Sequence, residues 1–145
     1  MSAQRLTRAD VACWVLKTSV PPGAVAPGWA PGAAARVGRC VRPSYRLGLM
    51  APGQRCLLWL SGRQDPGVHA VGVLTGPPDG DLVVEVALHR LVEPLPRASL
   101  LATPFASAEV VRMPAGSNPS WLTAAQLLPV LDSLDAAELA AAGWA

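Results

Sequence analysis

Lysine is almost missing from this chain: eleven of its twelve basic residues are arginine, and Lys17 stands alone. Histidine is as scarce. Only His69 and His89 occur, with no Asp or Glu at metal-ligand spacing to either, so no metal centre is expected. The cysteines, Cys13, Cys40 and Cys56, form no Cys-x-x-Cys pair and read as reduced thiols rather than a disulfide frame or zinc site. No apolar run is long enough to span a bilayer. The opening MSAQRLTRAD lacks the apolar region of a signal peptide, so a cytoplasmic protein with no membrane partner is expected. A glycine loop ending in Gly-Lys-Ser/Thr is missing too. No catalytic constellation is legible, so neither an enzyme nor a cofactor is expected. The remaining enzymatic alternative is a hydrolase of modified nucleotides using a Cys–His pair, which forms in space rather than in sequence.

Acids are missing from one region. Between Val11 and Gln64 there is no Asp or Glu. Residues 1–65 hold nine basic groups against two acids and residues 66–145 three against eight, so the halves carry +7 and −5 within a net charge of +2. Such segregation points to a basic face meeting a polyanion; the alternatives are an acidic protein partner, or halves that intermix in space and cancel. Arginine's planar fork suits phosphates and base edges, although an Ala-, Gly-, Pro- and Arg-rich composition also follows from GC-rich coding.

At 145 residues the chain is long enough for one domain, 1–145, with its own core. The apolar pattern is mostly strand-like: a short run at 12–18, two arms at 55–60 and 68–74 joined across Gly62 to Gly67, and an alternating run at 82–91. Glu109 to Met113 reads as a further short strand, and Pro94 and Pro96 read as punctuation after the long run. Residues 21–38 read as a loop with Trp29 in its middle. Arg36, Arg39, Arg42 and Arg46 recur at helical spacing, and on a short helix ending near Arg42 they would form one basic stripe. Met50 to Gly53 reads as a turn. Thr123 to Gln126 and Asp135 to Glu138 read as capping boxes, and Gly143 as a helix stop. With no βα alternation, the expectation is α+β: about five strands in a small mixed barrel or curled sheet, flanked by short helices.

Trp59 and Ser61 are two apart in a strand, so a flat ring and a hydroxyl look the same way. Trp14, Trp29 and Trp59, the hydroxyls of Thr18, Ser19, Ser44 and Ser61, Lys17 and the arginine cluster together match the needs of a flipped or single-stranded base. Such a base is stacked by rings, read by polar groups and held by a basic rim. Trp14 and Trp29 have the plain alternative of filling the core.

The order of features resembles the EVE domain of the PUA-like superfamily. CWVLKTS at 13–19 matches a strand bearing Trp-x-x-Lys-Ser/Thr (Trp14, Lys17, Thr18). RPSYRLGLMAPGQRCLLWLSG at 42–62 supplies Arg42, the Met50-x-x-Gly53 turn, and Trp59, Ser61 and Gly62. PGVHAVGVLTGPP at 66–78 supplies Gly67 and Gly72. Segments 94–105 and 113–123 resemble the family's pre-helix stretch and final helix entry; Gln54 departs from the Asp usual after the glycine. The resemblance covers about residues 13–131. It implies a PUA-like mixed β-barrel of five to six strands with surrounding short helices, its core at about 12–131, followed by a C-terminal helix at 132–145. EVE domains also resemble YTH domains, which cage a methylated adenine with aromatic rings. By this resemblance the chain is a non-catalytic reader holding a flipped, modified base, a modified cytosine such as 5-methylcytosine in DNA. The alternative is an RNA-binding module for unmodified or methyladenine-containing RNA. Trp14, Lys17, Thr18, Ser19, Trp29, Trp59 and Ser61 then belong to the pocket, and Arg36, Arg39, Arg42, Ser44 and Arg46 to the phosphate contacts. A monomer is expected; whether a separate nuclease or restriction component partners it stays open.

Overall fold

In the computed structural model, residues 5–145 are described; the first four of the expected 1–145 domain lie outside the described residues. Six strands form one mixed sheet: β1 (Cys13–Thr18), β2 (Ala34–Cys40), β3 (Arg55–Leu60), β4 (Gly67–Leu74), β5 (Val83–Pro96) and β6 (Ser120–Leu122). Their order is β2-β5-β4-β3-β1-β6. Only β1 and β3 run parallel; the other neighbours are antiparallel. The architecture is the expected small α+β fold, a curled mixed sheet with short helices around it, not closed into a barrel by hydrogen bonds among the described residues. No ladder joins β2 to β6 among the described residues, and their flanks meet through Arg42 N–H donating to the Asn118 carbonyl at 3.0 Å.

Alternation divides the core between the two faces. One face carries Trp14, Leu16, Val37, Leu58, Val84, Val86 and Leu88. The other carries Val15, Leu57, Trp59, Val68, Val71 and Phe105. This second face is covered by α2 (Arg97–Leu100), α3 (Glu109–Arg112), α4 (Ala124–Ser133) and α5 (Ala136–Ala142). Both capping boxes form: Thr123 with Gln126 opens α4, and Asp135 with Glu138 opens α5. Gly143 ends α5 in the left-handed conformation, φ +75°, where glycine has no Cβ penalty. The helical tail is thus two helices rather than one over 132–145. The core also runs past residue 131, because Trp144 is buried and its indole N–H donates to the Gly72 carbonyl at 2.7 Å.

Three sequence expectations are corrected. Residues 34–40 are an edge strand, not the end of a loop leading into a helix. Val37 is buried while Arg36 and Gly38 are exposed, so the period is two and pairing with β5 overrides the helical arginine spacing. Glu109 to Arg112 is one helical turn, not a strand; four residues hold too little periodicity to separate the two. Strand β5 continues through Pro94 to Pro96, past the expected punctuation, because the pairing beyond its break lies at residues 95 and 96.

That break positions the site. Strand β4 pairs with β5 as Gly67↔Pro96 and Val68↔Leu95, then resumes at Ala70↔Arg90. Four residues of β5, Leu91 to Pro94, therefore stand opposite His69 alone. Against β3 the register also shifts, from Trp59↔Val68 to Leu58↔Ala70, again passing over His69. His69 is a bulge residue toward both neighbours. Bulges bend a sheet and re-aim a side chain.

Candidate nucleobase cavity

A cavity of about 430 Å³ opens at this bulge, near the low end of small-molecule sites, about 300–1,000 Å³. Ser19 comes from the end of β1, Ser61 and Gly62 from the end of β3, and His69 from β4; Arg90 and Pro94 come from the bulged part of β5. Pro21 and Pro22 at the start of α1 (Pro22–Val25), with Leu60, Leu91 and Val92, make apolar wall; Arg63, Gln64 and Asp65 complete the rim. The parallel pairing of β1 with β3 puts their two C-terminal ends side by side. Ser61 N–H donates to the Thr18 carbonyl at 2.9 Å, and the Ser61 hydroxyl reaches the same oxygen at 3.2 Å.

The rim loop holds a strained conformation. Asp65 has φ +49° and Gly67 φ +147°, both outside the usual range for L-residues. A Cβ on Gly67 would lie 2.0 Å from the Leu95 carbonyl oxygen, so only glycine lets β4 start this close to β5. The backbone carbonyl of Asp65 then lies 2.6 Å from His69 Nε2.

The predicted pocket residues separate. Ser19 and Ser61 meet at the cavity. Trp14 is completely buried on the inner face, its indole N–H donating to Gln54 Oε1 at 2.8 Å. Trp29 is buried on the same face and donates to the Ala33 carbonyl at 2.8 Å; its own carbonyl accepts from the Arg90 guanidinium. Trp59 lies on the opposite face, stacked on Phe105 with ring centroids 5.3 Å apart. None of the three indoles lines the cavity. The Thr18 hydroxyl is turned back on Val20, donating to its carbonyl at 3.0 Å and accepting its N–H at 3.1 Å. The Lys17 ammonium donates to the carbonyls of Pro114, at 3.1 Å, and Gly116; partial burial lowers its pKa.

The arginines divide too. Arg36 and Arg42 are exposed. Arg39 donates to the Lys17 carbonyl at 3.2 Å. Ser44 caps the helical turn Tyr45–Leu49, accepting from Arg46 N–H at 3.2 Å. Arg46 forms a forked pair with Glu109, 2.7 and 2.8 Å, the one ion pair among the described residues. That hydrogen-bonded fork holds the Glu109 carboxyl below its ordinary 4.5. His69, Arg63 and Arg90, which line the cavity, were not singled out for a pocket from the sequence. The signal for Arg63 was present, since it lies in the Gly62 to Gly67 connection; the bulge that aims His69 and Arg90 is a pairing event with no local pattern.

Among the described residues neither histidine is hydrogen-bonded to a cysteine, and burial pushes the Cys13 and Cys56 thiols up, which suppresses the reactive thiolate. Among the described residues no three His, Cys, Asp or Glu side chains converge as metal ligands, and no helix is long and apolar enough to cross a membrane. What the cavity offers is a lining that mixes apolar wall from Pro21, Pro22, Leu60 and Leu91 with the polar side chains of Ser19, Ser61, Arg63, His69 and Arg90.

No family model and no curated protein matches the chain. Solved structures share its fold. A hypothetical protein from Leishmania major has a TM-score of 0.62 at 14% identity over 85% of this chain and 94% of its own. A Pseudomonas putida protein gives 0.58 at 15% identity over 83% and 98%. Human THYN1, solved in complex with DNA containing 5-methylcytosine, gives 0.56 at 15% identity over 85% and 98%. At these identities the likeness is one of fold.

Proposed function

We propose that this protein is a non-catalytic nucleic-acid reader that takes one flipped, modified base, a 5-methylated cytosine in DNA, into the cavity at the β5 bulge. The observation that carries the reading is the cavity itself: a slot of about 430 Å³ with apolar walls, two arginines and a partly buried polar end, on a fold shared with a protein solved on 5-methylcytosine-containing DNA. Ser19 and Ser61 flank the opening. The walls from Pro21, Pro22, Leu60 and Leu91 take the ring faces and a C5 methyl group; one methylene-sized group in such a corner contributes about 1 kcal/mol. Trp14, Trp29 and Trp59 support the slot from the core, with Trp29 anchoring Arg90 through its carbonyl. Arg63, Arg36 and Arg42, with Ser44 beside them, contact phosphates. Arg39 and Arg46 brace that surface through Lys17 and Glu109.

The test is a fluorescence-anisotropy titration of duplexes identical but for one cytosine, methylated or not, against the protein and a Ser61→Phe variant checked for an unchanged melting temperature. The reading predicts tighter binding of the methylated duplex by several-fold. The variant loses that difference because the added ring fills the slot. Equal affinity for both duplexes in the unaltered protein contradicts it.

A further inference from the structure

We infer that His69 makes the cavity selective for bases that carry an exocyclic amino group on the Watson–Crick edge, cytosine-type over thymine- or uracil-type. This rests on the proposal that the cavity holds a base. The argument starts from the hydrogen bond at 2.6 Å between His69 Nε2 and the Asp65 carbonyl oxygen. A carbonyl only accepts, so Nε2 must carry the proton, and in the neutral ring Nδ1 is left as a bare acceptor. Nδ1 has no hydrogen-bond partner among the described residues, yet it is not an orphaned, sealed atom. The one fully buried side-chain nitrogen or oxygen without a partner there is Arg39 Nε.

His69 is 6% exposed, and it lines the cavity. It is therefore held with little freedom. The double register shift places it there, and the left-handed Asp65 with its glycine neighbour Gly67 presents the carbonyl that fixes the ring. Because Nδ1 has no protein partner among the described residues and is not sealed, and His69 lines the cavity beside Leu91, Val92 and Pro94, we take Nδ1 as the acceptor a bound base meets. An acceptor there rewards a donor and penalises another acceptor. Cytosine and adenine present an N–H₂ at that edge, whereas thymine and uracil present a carbonyl oxygen. Arg63 and Arg90, donors only, supply the complementary side for a ring nitrogen or the C2 carbonyl. Thymine carries the same 5-methyl group as 5-methylcytosine. The cavity would thus separate a methylated cytosine from the product of its deamination, which apolar contacts to the methyl cannot do.

The test uses single-stranded oligonucleotides identical except at one position, so that base pairing does not intervene. That position holds 5-methylcytosine, thymine, 5-methylpyrimidin-2-one, which lacks the amino group, or an abasic site. The unaltered protein should bind 5-methylcytosine at least about tenfold more tightly than thymine or the pyrimidinone. In His69→Gln the amide nitrogen stands where Nε2 was, so the bond to Asp65 persists but the acceptor at Nδ1 is lost; the ratio should fall to within about twofold. In His69→Asn the amide oxygen stands at the Nδ1 place and should retain part of the ratio. A thymine-to-5-methylcytosine ratio within about twofold in the unaltered protein, with both bound more tightly than the abasic strand, overturns this inference and leaves the base cavity standing. Binding no tighter than to the abasic strand overturns both. If His69→Gln weakens every strand equally and keeps the ratio, His69 is only structural and the inference fails. The pyrimidinone comparison needs no variant and decides the matter even if His69→Gln does not fold.

Discussion

Gln54 shows how much one side chain can hold. Its Oε1 accepts the Trp14 indole N–H at 2.8 Å and the Ala51 N–H at 2.7 Å, while its amide nitrogen donates to the Leu49 carbonyl at 3.0 Å. One long amide thus closes the Met50–Gly53 turn and satisfies a fully buried tryptophan. Gln54→Leu leaves the indole N–H unpaired in the core and should cost about 1–3 kcal/mol, read as a lower urea midpoint with an unchanged slope. The residue scale also shows where the sequence misleads. Trp14, Trp29 and Trp59 are conspicuous because aromatic residues are few here, 5% of the chain, yet each is buried in the core. Their identities do suit stacking on a base; their burial is set by neighbours far along the chain, such as Phe105 for Trp59. Ser19 and Ser61, singled out as hydroxyls near strand ends, meet at the cavity because β1 and β3 run parallel and their C-terminal ends lie side by side, a pairing that no local pattern announces.

At the scale of elements, the seam between β4 and β5 carries the site. Gly72 sits where the strands come closest: an added Cβ would lie 1.8 Å from the Ala87 carbonyl oxygen, in backbone that cannot yield cheaply. Gly72→Ala should therefore destabilise by more than about 2 kcal/mol, measured by denaturant unfolding. A second joint ties the turn Tyr45–Leu49 to α3 through the fork between Arg46 and Glu109, with Ser120 Oγ donating to the same carboxylate at 3.0 Å. The Glu109 carboxyl is held below its ordinary 4.5 chiefly by Arg46. A depressed carboxyl pKa stabilises the fold fully above the unfolded value and loses that contribution as pH falls through the folded one. Between pH 6 and pH 3 the melting temperature should thus fall less in Glu109→Gln than in the unaltered protein, because the variant has no such contribution to lose. Elements with a continuous apolar run (β4), an alternating one (β5) or caps (α4 and α5) were readable from the sequence. The short ones, β2 and α3, were not, since seven or four residues carry a period that tertiary pairing decides.

At the scale of the molecule, the segregated charge is only partly cancelled. Arg46 is neutralised by an acid from the other half, whereas Arg36, Arg42 and Arg63 remain exposed. If these meet phosphates, log affinity for DNA falls linearly with log salt, by about 0.9 per phosphate neutralised on a duplex. Arg42→Ala should lower that slope by about one contact while leaving the preference for the modified base unchanged. A slope near zero in the unaltered protein would remove the basic rim from the account. The architecture was legible as a whole because strand count, turns and caps all point one way. The cavity was not, since it arises where two ladders slip at His69, a feature of pairing rather than of any local run.

The most direct measurement is a backbone amide NMR titration of the protein with a duplex carrying one 5-methylcytosine. The account predicts that the largest shifts, absent or much smaller with the unmethylated duplex, fall on Ser19, Ser61, Asp65, His69 and Arg90 around the bulge. Shifts confined to the exposed arginines of β2 and its flank, equal for both duplexes, would contradict it and leave a basic surface without a reader's pocket.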